Sequence, residues 1–235
     1  MIQAARMKHF GTFLKKHQLY FLCAVFMAAF IVLAWCMANN KTSTFDASIY
    51  DALSVIMSPA LTWFFMIVTN LGGFVVLLLL AIAVPLVVFK KKELVVLLLT
   101  NLAVVSLINL ILKEVFARPR PQILTLIQEA GYSFPSGHAM ASMAFYGLLI
   151  YLVWRMAHKT HQTSKDKSRS CKTPTKTIKI IATATLSVLI LLIGVSRVYL
   201  GVHYASDVLA GFCLSLALLM LFVALYPKIE RRFLA

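Results

Sequence analysis

Six apolar runs divide this chain, at about residues 19–38, 65–89, 94–116, 138–154, 180–197 and 203–226. Each is near the roughly 20 residues that a helix needs to cross a bilayer. In lipid only helices and closed barrels satisfy their own backbone hydrogen bonds. The expectation is an all-α, polytopic membrane protein: one domain over residues 1–235, built as a six-transmembrane-helix bundle. A mean hydropathy of +0.87 and a hydrophobic content of 61% exclude an ordinary soluble domain.

The segments between the runs are read in the same terms. Residues 1–18 form a basic leader. The run at 19–38 is too long for a signal-peptide core, and Trp35 is too bulky for a lipoprotein cleavage site before Cys36, so an uncleaved anchor is expected. In residues 39–58, Phe45, Ile49, Leu53 and Ile56 recur at helical spacing against Asp46, Asp51 and Ser54. That pattern fits a short amphipathic helix in the interface or an ordinary connecting loop. Residues 59–89 are too many for one perpendicular span and too few for two, so one span at 65–89 is expected after an interfacial approach. Residues 155–179, rich in Lys, Ser and Thr, read as a solvated basic loop.

The net charge of +15 might suggest nucleic acid, but the basic residues lie between apolar runs, where topology requires them, and no nucleic-acid-binding motif accompanies them. Six spans put both termini on one side. That side receives four Lys and Arg from the leader, three at 90–92, eight from 155–179 and three from the C-terminal tail. Only Lys41, Lys113, Arg118, Arg120 and Arg197 fall opposite, which places both termini in the cytoplasm. Lys113, Arg120, His138, Arg197 and His203 then share one layer at the extracytoplasmic ends of the spans. The four cysteines include no C-x-x-C pair and no cluster with His, so neither a disulfide framework nor a zinc site is indicated.

Charged groups in that layer are costly and mark a functional site. Residues 194–211 hold Ser196, Arg197, His203 and Asp207 between two apolar runs. A helix beginning at about Tyr199 would stack Asp207 under the His203 ring, fixing its tautomer. Asn101, Asn109 and Lys113 share one helical face, expected to look into the bundle. Glu114 and Arg118, four apart, read as a local ion pair. Tyr199 and Tyr204 are expected to anchor span ends at the interface rather than line a lipid entry.

Three pieces complete a pattern: Lys113 followed after six residues by Arg120-Pro121; Pro135-Ser136-Gly137-His138; and Ser196-Arg197 followed by His203 and Asp207. In order and spacing they resemble the three-part signature of the type 2 phosphatidic acid phosphatase superfamily. The resemblance covers residues 113–207 by motif and the six-span layout by architecture. It implies that His203 attacks phosphorus to form a phosphohistidine and that Asp207 orients it. It implies that His138 protonates the leaving oxygen and then activates water. Lys113, Arg120 and Arg197 match the phosphate clamp, and Ser136 and Gly137 match hydrogen-bond donors to phosphate. Pro121, Pro135 and Ser196 match supporting positions.

The residue types suit that chemistry: guanidinium forks fit phosphate oxygens, and free N–H groups at a helix start favour an anion. No cofactor and no metal is expected, because three cations cover the neutralising role and no outer carboxylate cluster is apparent. The expected partner is a membrane lipid phosphate, namely phosphatidylglycerol phosphate, phosphatidate or undecaprenyl diphosphate, in a bacterial plasma membrane. Nothing in the sequence specifies an oligomeric state. A lipid phosphotransferase is the alternative that uses the same intermediate. A non-enzymatic lipid-binding protein would leave the His and Asp residues without a task. The vanadium haloperoxidases, which share the anion pocket, are soluble, unlike a chain of six spans.

Overall fold

The apolar runs all become helices in the computed structural model, which describes residues 2–122, 125–163 and 175–233 and contains no strand among them. Eight helices follow in order: α1 (Ile2–Ala38), α2 (Ser43–Ser54), α3 (Pro59–Asn70), α4 (Phe74–Val84), α5 (Glu93–Phe116), α6 (Gly137–Thr163), α7 (Lys176–Tyr199) and α8 (Ala205–Phe233). Five stretches are long and apolar enough to cross a membrane: His17–Ala38, Glu93–Phe116, Gly137–Arg155, Lys176–Tyr199 and Ala205–Tyr226; the bent pair α3 and α4 makes a sixth if it is one span.

Several boundaries differ from the sequence reading. The basic leader is helical and continuous with the first span. Helix also extends into both ends of the 155–179 stretch, to Thr163 and from Lys176, while residues 164–174 of that loop lie outside the described residues.

The expected span at 65–89 is broken instead. Ser58 opens α3 as an N-cap, its side chain accepting the Leu61 N–H with Pro59 behind it. Three residues past Asn70 the direction changes by 54°. Gly72 sits at that break because a Cβ there would lie 2.5 Å from Ile193 Cγ2 and 3.5 Å from the His138 ring. Beyond it α4 continues into a π-helical turn, Pro85–Phe89. Pro85 has no N–H for the helix ladder, and a π turn absorbs that loss.

Packing centres on α6 and α8. One core joins Leu77 and Ala81 of α4, Leu98 and Leu102 of α5, Phe145 and Leu148 of α6, and Ile190 and Ile193 of α7. A second joins Phe30, Ala34 and Met37 of α1 to Met140 and Ala144 of α6 and to Ala210 and Leu214 of α8. Gly211 lets α8 approach α6 closely, since a Cβ there would stand 3.0 Å from the Ser136 carbonyl. Phe21, Ile31 and Trp35 of α1, Leu107 and Leu110 of α5, and Leu191 of α7 stay exposed, as a surface facing lipid requires.

The stretch at 39–58 resolves to a helix, α2, rather than a loop. Phe45 and Ile49 face outward, while Asp46 is 4% exposed and turned into the bundle. The C-terminal ends of α5 and α7 and the N-terminal ends of α6 and α8 meet at one end of the bundle, where the polar residues gather.

Candidate active site

The last turn of α5 carries Lys113, whose Nζ donates to the Tyr132 carbonyl at 2.7 Å. Asn109 and Asn101, about one and three turns behind it, are both buried, as their shared face predicts. Ala117 then takes a left-handed conformation with φ 45° and ends the helix. Phe134 anchors the far end of the loop, stacked on Phe30 at 6.0 Å and edge-on to Phe116 at 5.0 Å. Asn109 Nδ2 donates to the Pro135 carbonyl at 3.0 Å, which delivers Ser136 and Gly137 to the start of α6.

Ser136 is fully buried. Its main-chain N–H donates to the Asp207 carbonyl at 3.1 Å, tying the starts of α6 and α8 together. Ser136 therefore has only its hydroxyl to offer an anion. The first N–H groups of α6, at Gly137 and His138, precede any intrahelical acceptor. Of the supporting positions, Ser196 spends its hydroxyl on the Ile193 carbonyl at 2.6 Å, and Pro121 lines a cavity of about 570 Å³ shared with α2 and His203.

The chain between α7 and α8 is not helical as expected from Tyr199. It turns at residues 200–204, and the Arg197 carbonyl accepts the N–H groups of both Val202 and His203 at 3.2 Å. The turn still brings His203 and Asp207 together, because Asp207 lies in the first turn of α8 and its Oδ2 accepts the Tyr204 N–H at 2.9 Å. His203 Nδ1 stands 3.4 Å from the same Oδ2, a long contact, and Nδ1 has no hydrogen-bond partner among the described residues. On the other side of the ring, Nε2 lies 3.4 Å from Arg120 Nη1.

Both guanidinium groups are held from behind. Arg120 donates Nε to the Gly131 carbonyl at 3.0 Å, Nη1 to the Val202 carbonyl at 2.9 Å and Nη2 to the Ala130 carbonyl at 2.9 Å. Three of its five N–H donors are thereby used, a fourth on Nη1 is directed at His203 Nε2, and one remains. Arg197 is 1% exposed; Nη1 donates to Thr69 Oγ1 at 2.8 Å and Nη2 to Glu129 Oε1 at 2.6 Å. Its buried Nε–H has no partner among the described residues. His138 lies within electrostatic reach of Arg197, Glu129, His203 and Lys113, so all three motif pieces converge on one space.

The sequence reading missed Glu129 and misassigned Arg118. Burial raises the Glu129 carboxyl, but the Arg197 charge and hydrogen bond, with His138 and Arg120 adding, outweigh it and hold it below the usual carboxylate value. Arg118 does not pair with Glu114: the left-handed Ala117 removes it from the α5 register, and it binds Asp46 and Asp207 instead. The Arg-Pro-Arg-Pro run was the available signal. Nor is Tyr199 an exposed anchor at a span end. Tyr199 is fully buried, its hydroxyl 3.1 Å from Thr62 Oγ1, and Tyr204 lies under the Arg118 guanidinium at 3.9 Å. Among the described residues no group of three or more His, Cys, Asp and Glu is arranged to hold a metal ion.

His203 lies in the turn outside both flanking spans, and burial, with Arg197 and Arg120 adding, pushes its imidazole down to about 4 despite the opposing Asp207. The ring is neutral near pH 7, as a nucleophile must be. The unfolded chain binds the extra proton between about pH 6.5 and 4 and the folded chain does not, so stability is lost as pH falls through that window. The apparent Tm in detergent is expected to fall from pH 6.5 to 4 more steeply for wild type than for H203Q. Equal slopes would contradict a neutral buried ring.

The chain is similar to known proteins over most of its length. The PAP2 superfamily profile matches residues 94–231, a range containing every motif residue. Phosphatidylglycerophosphatase B of Bacillus subtilis (strain 168) is 33% identical over 204 residues, 86% of this chain and 93% of its own. The crystal structure of a transmembrane PAP2-type phosphatidylglycerolphosphate phosphatase from Bacillus subtilis aligns with a TM-score of 0.73 and 29% identity, covering 89% of this chain and 98% of that one.

Proposed function

Because this chain belongs to the PAP2 superfamily, we propose that it is a membrane lipid phosphatase that hydrolyses a phosphomonoester through a phosphohistidine on His203. The observation that carries this reading is the orientation of the His203 ring. Nδ1 faces the Asp207 carboxylate, which leaves Nε2 unprotonated, its lone pair 3.4 Å from Nη1 of Arg120, a member of the phosphate clamp. Asp207 fixes the tautomer with the proton on Nδ1 and supports the charge that forms on the ring.

In the first step Nε2 attacks phosphorus, the bond to the lipid oxygen breaks, and protonated His138 gives its proton to the departing alkoxide. In the second, neutral His138 takes a proton from water, the hydroxide attacks phosphorus, and the P–N bond breaks to return free His203 and inorganic phosphate. Lys113, Arg120 and Arg197 balance the charge on the equatorial oxygens, with the Ser136 hydroxyl and the Gly137 N–H adding hydrogen bonds. Glu129 holds one arm of Arg197, and an arriving phosphate competes with it for that guanidinium.

The substrate favoured is phosphatidylglycerol phosphate. The support is the name of the 33%-identical relative, whose length this chain covers almost entirely. Phosphatidate and undecaprenyl diphosphate follow. The Bacillus subtilis relative supports a bacterial multi-pass protein, and the charge distribution of the sequence supports both termini in the cytoplasm and the site at the extracytoplasmic face. Purified protein is expected to release phosphate from phosphatidylglycerol phosphate in the presence of chelator, with vanadate inhibiting. In a mixture of the three lipids its kcat/KM is expected to be highest for phosphatidylglycerol phosphate. Preference for another lipid would move the substrate assignment, and loss of activity on chelation would remove the metal-independent mechanism.

A further inference from the structure

We propose that Arg118 and Asp46 are positioning residues for this reaction, a relay that runs from the outer helix α2 through Arg118 to Asp207 and sets the His203 ring. The inference rests on the reading of His203 as nucleophile and adds two residues outside the signature.

Arg118 lies between two buried carboxylates. Nη1 donates to Asp207 Oδ1 at 2.5 Å and to Ser206 Oγ at 2.8 Å. Nη2 donates to Asp46 Oδ2 at 2.8 Å. Asp207 is fully buried and Asp46 is 4% exposed, so two carboxylates share one bridging cation. A planar guanidinium reaches both at fixed angles, which an ammonium does not. Tyr204 packs against the flat face of that group at 3.9 Å and keeps it in plane.

The division of labour on Asp207 is the telling feature. Oδ1 is taken by Arg118, while Oδ2 accepts the Tyr204 N–H and faces His203 Nδ1. With partners on both oxygens the carboxylate plane is not free to rotate, and Oδ2 stays aimed at the imidazole. Asp46 holds the other end of the relay. Its Oδ1 accepts the Ser206 N–H at 2.8 Å and its Oδ2 accepts the Ser206 hydroxyl at 2.8 Å, which fastens α2 to the first turn of α8. An acid there also suits the helix dipole. Neither residue is hydrogen-bonded to the groups assigned to the phosphate clamp, so their effect is on the aim of the nucleophile and not on substrate binding.

The test is steady-state kinetics on full-length protein with phosphatidylglycerol phosphate, with kcat expressed per vanadate-binding site so that loss of folded enzyme does not enter. R118Q is expected to lose about 100-fold in kcat, the scale of a small misplacement of reacting groups, with KM within about 3-fold of wild type. R118K should recover part of that loss, D46N should lose about 10-fold, and R118Q/D46N should be no slower than R118Q because the two act in series. R118Q with kcat within about 3-fold of wild type would overturn the relay. So would a rise in KM with kcat intact, which would make Arg118 a substrate-binding residue. If R118Q fails to fold, R118K and D46N carry the same kcat and KM readout. H203A is measured alongside: turnover in H203A would remove the nucleophile itself, whereas an inactive H203A beside a normal R118Q would remove the relay alone.

Discussion

H203A is expected to lose about 10,000-fold or more in kcat, the scale seen when a nucleophile is removed from a coupled catalytic set. Ala leaves no atom within reach of phosphorus and no imidazole beside Asp207, whose Oδ2 would retain only the Tyr204 N–H. The clamp is built from other elements: Lys113 from α5, Arg120 from the 117–136 loop and Arg197 from α7. Vanadate and product phosphate should therefore still bind to H203A, weakened only by loss of the covalent contact. The check is phosphate release from phosphatidylglycerol phosphate together with direct vanadate binding. Lost turnover with retained anion binding is the expected pair. Loss of both would mean that the substitution had damaged the pocket.

H138N is expected to lose about 1,000-fold in kcat toward lipid phosphates, at the middle of the range for general acid–base catalysis. Its test depends on the leaving group. A lipid alkoxide needs a proton in order to depart, whereas an activated aryl phosphate does not. With the aryl ester, H138N should form the phosphoenzyme at close to the wild-type rate and then stall, because the same residue must activate water. A burst of aryl alcohol followed by slow turnover is the expected trace. Equal loss for both esters, with no burst, would deny His138 the acid role and leave it as a wall of the pocket.

The parts of this protein that the sequence displayed well were those whose chemistry is local. His203 and Asp207 are four residues apart, so any turn that compacts the chain brings them together, even though the helix assumed between them is absent. Ser136 and Gly137 precede a helix, and Asn109 and Lys113 lie one turn apart on one face of α5. Relations between distant segments were not displayed. Asp46 reaches Ser206 across 160 positions, and no periodicity in α2 could name that partner. The helix was real, but Asp46 turned inward to meet Arg118 while Phe45 and Ile49, like Asp51, stayed exposed.

Arg118 was read as a helical neighbour of Glu114 because a non-glycine left-handed residue at Ala117 leaves little local signature. Gly72-Gly73 was a visible signal for the break between α3 and α4, and the unbroken hydropathy around it hid the 54° bend. Glu129 belongs to a loop with no periodicity, where its attachment to Arg197 is a matter of three-dimensional closure. Tyr199 resembles an interfacial anchor by its place at a span end, yet its ring lies 4.6 Å from that of Phe65, packed in a buried cluster with α3.

The covalent intermediate is the claim on which the rest depends, and rapid quenching of H138N with an activated aryl phosphate radiolabelled in its phosphoryl group tests it most directly. The account predicts label on the protein that survives alkali, is lost in acid as a phosphoramidate must be, maps to the peptide containing His203, and is absent from H138N/H203A. Inorganic phosphate released at the single-turnover rate with no protein-bound label, or label on any other residue, would contradict it.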